Sequence, residues 1–225
     1  MKKQSKRNFC TALGLLGAFV LWTAAVSLID VQAIGPQGSA VGFAAVNRFV
    51  HNLTGVHMTL YTLTDWLSLV PFSFVVGFGV LGLLQWVKRK KLLNVDRSIL
   101  TLGGFYGVVM AAYLFFEVYA VNYRPVLIEG VLEASYPSST TMLVLTVMPT
   151  AIMQLSTRIK NRVLRQTVIS IIVVFIVFMV VARLVSGVHW FTDIVGGILL
   201  SAGLVMMYWA LVGETSKTFR ERIKS

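Results

Sequence analysis

The chain is short of charge, and above all of negative charge. Only 13% of its 225 residues are Asp, Glu, Lys or Arg, with 9 acidic residues against 20 basic ones. A soluble domain of this length needs a charged shell, and this chain cannot make one. It has one cysteine, Cys10, so no internal disulfide can form. The period-two alternation of an outer-membrane barrel is missing. No internal repeat or linker divides the chain, and 1–225 reads as a single domain.

Apolar residues, in contrast, make up 56% of the chain. They gather into uncharged runs over 8–29, 66–87, 98–116, 134–157, 166–182 and 194–213. Each is long enough to cross a hydrocarbon core of roughly 30 Å. In lipid the backbone must bond within its own segment, so each run is expected to be helical. The pattern predicts an all-α membrane protein, a bundle of six transmembrane helices. Val31, Gln32 and Ala33 resemble a signal-peptide cleavage site, but the run before them is longer than a signal core. It reads as a retained helix.

The net charge of +11 raises the question of nucleic acid. The basic residues, however, lie where a membrane protein needs them. Lys2, Lys3, Lys6 and Arg7 precede the first run, and Lys88, Arg89, Lys90, Lys91 and Arg97 follow the second. Arg158, Lys160, Arg162 and Arg165 follow the fourth; Lys217, Arg220, Arg222 and Lys224 follow the sixth. These clusters hold 17 of the 20 and share one side of a six-span arrangement. The positive-inside rule makes that side cytoplasmic, with anionic lipid rather than nucleic acid as its partner. Both termini, and the loops near 88–97 and 157–166, are expected inside a cytoplasmic membrane.

The outer connections carry the remaining unusual residues. In the first, Phe43, Val46, Phe49, Val50 and Leu53 fall at helical spacing among polar residues, which predicts an amphipathic helix in the outer interface. Three polar clusters stand out. They are Tyr123-Arg124-Pro125, then Tyr136 to Thr141, then the stretch from Arg183 through His189 to Asp193. His189 and Asp193 are four apart, so on a helix they share a face, and the carboxylate can fix the imidazole tautomer. The planar forks of Arg124 and Arg183 suit phosphate oxygens. Pro137, Ser138, Ser139 and Thr140 read as a helix N-terminus, which also favours an anion. Ionisable residues at membrane spans are functional by default. Together these features read as phosphoryl transfer through a histidine.

This constellation, across 117–193, resembles the type 2 phosphatidic acid phosphatase family, whose pattern is Lys-x6-Arg-Pro, Pro-Ser-Gly-His and Ser-Arg-x5-His-x3-Asp. Arg124 and Pro125 match the first motif, Pro137 and Ser138 the second, and Arg183, His189 and Asp193 the third, with Ala182 in place of the serine. The resemblance implies a six-helix membrane phosphatase with no cofactor or metal. His189 would be the nucleophile, Asp193 its orienting group, and Arg124 and Arg183 the phosphate ligands, aided by Ser138, Ser139 and Thr140. Two positions depart from the pattern. The family lysine is Glu117, and the histidine of the second motif is Thr140. Glu117, about two helical turns before Arg124, is expected to pair with it or to serve as an accessory proton donor. His51 and His57 are expected to be structural, or else to supply the missing acid. The implied substrate is a lipid phosphate, with an isoprenoid diphosphate such as undecaprenyl diphosphate favoured. The alternative is an accessory protein that binds lipid phosphate with altered chemistry. A transporter should show paired acidic residues at mid-membrane, and none is evident.

Overall fold

The computed structural model describes residues 2–212, so the basic cluster Lys217, Arg220, Arg222 and Lys224 lies outside the described residues. The elements are α1 (Lys2–Leu28), α2 (Ala44–Thr54), α3 (Met58–Leu67), α4 (Leu69–Arg89), α5 (Arg97–Val118), α6 (Ser139–Arg158), α7 (Arg162–Val185) and α8 (Phe191–Val212). Among the described residues six helical segments are long and apolar enough to cross a membrane, α3 and α4 together forming one of them. The fold is therefore the expected all-α bundle of six spans.

The second span corrects the sequence reading. It starts at Met58 rather than near 66, because the polar residues that ended the apolar run are accommodated within the helix. Thr62 and Thr64 donate their hydroxyls to the carbonyls of Met58 and Leu60, each at 3.0 Å, which hides their polarity. The helix is interrupted between Leu67 and Leu69. Pro71 explains the break, since it has no N–H for the Leu67 carbonyl and its ring crowds that group. The fourth span starts later than expected, at Ser139, because Ser135, Tyr136 and Pro137 run outside the helix.

Helices α6 and α8 form the centre. Met142, Val144, Val147, Met148 and Ala151 of α6 are buried, as are Leu200, Leu204 and Tyr208 of α8. The first helix is part of this core: Phe19 and Val26 are buried, and α1 packs along α8. A Cβ on Gly203 would come within 2.7 Å of Leu16, so the missing side chain permits that approach. Leu21, Leu83, Val163 and Val174 face outward, as lipid contact requires.

Helix α2 is the amphipathic helix expected in the connection between the first and second spans. It exposes Val46, Phe49 and Leu53 and buries Asn47. Its N-cap residue, Phe43, cannot cap the helix. Asp30 takes the role from across the loop, accepting from the Ala45 N–H at 2.7 Å. That hydrogen bond holds the Asp30 carboxyl below the usual carboxylate range.

Candidate active site

The three predicted clusters converge at one end of the bundle. Arg183 comes from the last turn of α7, His189 from the loop before α8, and Asp193 from the first turn of α8. Arg124 comes from the α5–α6 connection, where Tyr123 bridges to Ala134 and the Arg124 N–H donates to the Glu133 carbonyl at 3.1 Å. All four side chains are buried, although each is ionisable.

His189 lies just outside α8, so it and Asp193 do not share a helix face as the spacing suggested. The shortest direct approach, Nδ1 to Oδ2, is 3.8 Å, too long for a hydrogen bond. Ser135 fills the gap. Its Oγ donates to Asp193 Oδ2 and stands 3.0 Å from His189 Nδ1. A hydroxyl has one proton, and here Asp193 receives it, so Nδ1 must carry a proton and donate to Ser135. Nε2 is then left bare, 3.5 Å from Arg124 Nη1 on the cradle side. Asp193 is further held by Asn122 Nδ2 at 3.1 Å and by the Trp190 N–H at 2.9 Å. Burial, reinforced by the two arginines and opposed by the nearby Asp193 carboxylate, pushes the His189 pKa down to about 4. At neutral pH the imidazole is uncharged and nucleophilic.

The two guanidinium groups flank Tyr61 of α3. Arg183 lies 4.7 Å and Arg124 5.8 Å from its ring centroid. Arg183 also donates from Nη1 to Thr64 Oγ1 at 3.1 Å. Both residues retain a buried Nε with no hydrogen bond. Arg124 Nε has Glu133 Oε2 at 2.9 Å, but off the N–H direction, giving an ion pair without a hydrogen bond. The expected partner, Glu117, is not the one found. Glu133 takes that place because the bridge between Tyr123 and Ala134 sets the two residues side by side, whereas the chain turns away from α5 after Val118. Buried donors without acceptors are rare in folded proteins, and Arg183 Nε, together with the Arg124 guanidinium beside His189, favours an anion here.

Ser138 is the N-cap of α6, with Pro137 before the cap rather than inside the first turn. Its N–H donates to the Asp193 carbonyl at 3.1 Å, and its Oγ accepts from Thr141. The Ser138 amide is therefore taken, and the amides of the first turn, from Ser139 and Thr140 onward, are the ones without intrahelical partners. A polar cavity of about 200 Å³ is lined by Arg124, Glu117, Glu133, Ser135, Ser139 and Tyr113. An apolar cavity of about 360 Å³ shares Tyr113, Ser139 and Met142 with it and also meets Thr140. A larger cavity, about 580 Å³ between α4 and α5, is lined by no charged residue and lies away from these groups.

The two remaining histidines are not built into the cradle. His57 Nε2 is 2.9 Å from the Thr54 carbonyl. His51 packs on the Trp190 ring at 5.4 Å, and burial lowers its pKa. Among the described residues, no group of three or more His, Cys, Asp and Glu is placed to hold a metal. Sequence reasoning missed Ser135, Asn122, Tyr61 and Glu133. Ser135 and Asn122 had a local signal, since each directly precedes one of the polar clusters, Tyr136–Thr141 and Tyr123–Pro125.

No curated protein sequence matches the chain. Among solved structures, it is similar to the crystal structure of a transmembrane PAP2-type phosphatidylglycerolphosphate phosphatase from Bacillus subtilis. The TM-score is 0.61 at 19% identity, over 93% of this chain and 98% of that one. At that identity the likeness speaks for the fold. The sequence model of the PAP2 superfamily matches residues 106–217, a stretch that holds Arg124, Ser135, Arg183, His189 and Asp193. The chain belongs to the PAP2 superfamily, the type 2 phosphatidic acid phosphatases.

Proposed function

We propose that this membrane phosphatase hydrolyses lipid diphosphates, isoprenoid diphosphates in particular, through a phosphohistidine on His189 at the outer face of a cytoplasmic membrane. The observation that carries the reading is the pair of buried, incompletely bonded guanidinium groups beside the bare Nε2 of His189. A terminal phosphate held by Arg124 and Arg183 sits in reach of that nitrogen. Nε2 attacks phosphorus, and the bond from phosphorus to the bridging oxygen breaks, the electron pair leaving with the lipid monophosphate. The Nδ1 proton stays on the ring, and Ser135 and Asp193 stabilise the positive charge that forms. The arginines neutralise charge on the transferring group. Water then attacks phosphorus, the P–N bond breaks, and inorganic phosphate leaves with His189 restored.

The adjoining apolar cavity supports a lipid substrate, since Phe72, Val75, Met110, Leu143 and Val147 offer a hydrocarbon chain a wall beside the phosphate site. The preference for a diphosphate follows from Thr140, which stands where the family carries its acid. A monoester expels a basic alkoxide that needs a proton, an assistance worth roughly 10²–10⁴-fold. A diphosphate expels a phosphate, a far weaker base. The test is phosphate release by purified protein in detergent from undecaprenyl diphosphate and from phosphatidate. Faster turnover of the diphosphate is expected, and equal or faster turnover of phosphatidate contradicts the preference. Thr140→His should raise phosphatidate turnover selectively.

A further inference from the structure

Three cavities follow one another away from the arginine cradle. The polar one shares Tyr113, Ser139 and Met142 with the apolar one, which in turn shares Val75 and Tyr106 with the large groove between α4 and α5. The apolar wall beside the phosphate site is therefore continuous with a groove of about 580 Å³ that no charged residue lines. At the junction the Tyr106 hydroxyl is hydrogen-bonded with Thr150 Oγ1 at 3.0 Å. The polar end of that side chain is thus tied to α6, and its ring is left for the cavity. The lining runs along the second span from Asp65, in the apolar cavity, to Trp86, near the far end of α4. At ~1.5 Å per residue this stretch is about 30 Å long, the full depth of a hydrocarbon core.

We propose that the α4–α5 groove holds the distal part of the substrate's hydrocarbon chain, and so selects a long polyprenyl chain over the acyl chains of a glycerolipid, an inference that rests on the lipid-phosphatase reading above. Length is what discriminates. A phospholipid acyl chain covers one leaflet, about half of the hydrocarbon depth. With its phosphate in the cradle it ends near Val75 and Tyr106, where the two cavities join. Only a chain longer than a leaflet reaches the groove beyond them. Transfer from lipid to the groove brings no hydrophobic gain, so the preference arises from close contact along the chain. The groove has room for methyl branches at Gly79, Gly103 and Gly104, since a Cβ at any of these would meet no atom within 4 Å.

The same open space suits a plugging variant. Leucine at Gly103 enters the groove without a clash at its Cβ and is the better helix former, so Gly103→Leu should fold. The test compares undecaprenyl with farnesyl diphosphate, using the full chain in phospholipid nanodiscs. In Gly103→Leu the ratio of their kcat/KM values should fall about tenfold, through KM rather than kcat, equivalent to ~1.4 kcal/mol. Gly107→Leu adds the same bulk to α5 outside the groove and should leave the ratio unchanged. An unchanged ratio in Gly103→Leu overturns the groove, while continued hydrolysis of farnesyl diphosphate leaves the phosphatase reading intact. If neither substrate is hydrolysed, the phosphatase reading falls, and photolabelling decides the groove. Undecaprenyl diphosphate with a diazirine at its far end should label residues 79–92, and excess unlabelled undecaprenyl diphosphate, but not phosphatidylglycerol, should prevent it. Equal suppression by phosphatidylglycerol, or no label at these residues, means that an ordinary bilayer chain or a second copy fills the groove, and overturns the inference.

Discussion

Ser135 decides which nitrogen of His189 can attack. Because its one proton goes to Asp193, Nδ1 is fixed as a donor, and Nε2 is the nitrogen left for the proposed attack. Ser135→Ala removes the link and leaves the 3.8 Å gap unbridged. The loss of one hydrogen bond in a buried, charged network, about 1–3 kcal/mol, should lower kcat by roughly ten- to a hundredfold with little change in KM. Steady-state kinetics in detergent would check this, and an unchanged kcat would remove Ser135 from the relay. The depressed His189 pKa has two consequences of definite sign. The nucleophile stays unprotonated down to about pH 4, so its acid limb in kcat/KM should lie well below the ordinary histidine value. A limb centred near 6.5 contradicts the burial account. For stability, the unfolded chain binds a proton on this histidine below about 6.5 and the folded chain only below about 4. Its contribution is therefore full above 6.5 and lost progressively as pH falls from 6.5 to 4, which thermal unfolding across that range can follow.

Among the elements, those with uninterrupted apolar runs were legible in the sequence, and those that depend on distant partners were not. The runs for α1, α5 and α7 closely match the observed helices because nothing but lipid and neighbouring helices decides them. Helix α3 was hidden, because Asp65, Thr62 and Thr64 look like loop residues until their helical partners are known. The convergence of Arg124, Arg183, His189 and Asp193 was legible from residue type and spacing alone. The relay through Ser135 and the pairing of Arg124 with Glu133 were not, since both depend on the path of the α5–α6 connection. The loop that carries His189 is held by another such pairing. Gly187 has φ +68°, and a Cβ there would meet the Gly55 carbonyl oxygen at 1.9 Å; the adjacent Ser186 carbonyl accepts from the His57 N–H at 2.9 Å. Gly187→Ala combines a left-handed backbone with a backbone clash, and should cost about 1–3 kcal/mol while displacing His189. Lower thermal stability together with lost turnover is the expected result. Retention of both would show that the two loops need not pack this closely.

For the whole molecule, the six spans and the distribution of basic residues predict one orientation, with the cradle outside. Single-cysteine labelling with an impermeant reagent, after replacement of Cys10, should modify a cysteine at Gln37 in intact cells but not one at Lys90. The reverse pattern would put the site on the cytoplasmic side. The arrangement also explains how so few charges suffice. Arg124, Arg183, His189 and Asp193 are gathered at one end of the bundle, beside an apolar cavity, so the proposed lipid phosphate would meet matching chemistry at both its parts. The central claim is covalent: the phosphoryl group passes through His189. The most direct measurement is to mix the protein with a diphosphate radiolabelled in its terminal phosphate, quench in alkali within the first turnover, and locate the label by mass spectrometry. An alkali-stable, acid-labile phosphate on His189, absent from His189→Ala along with turnover, is the predicted result. Turnover persisting in His189→Ala, or a phosphate trapped on any other residue, would contradict the account.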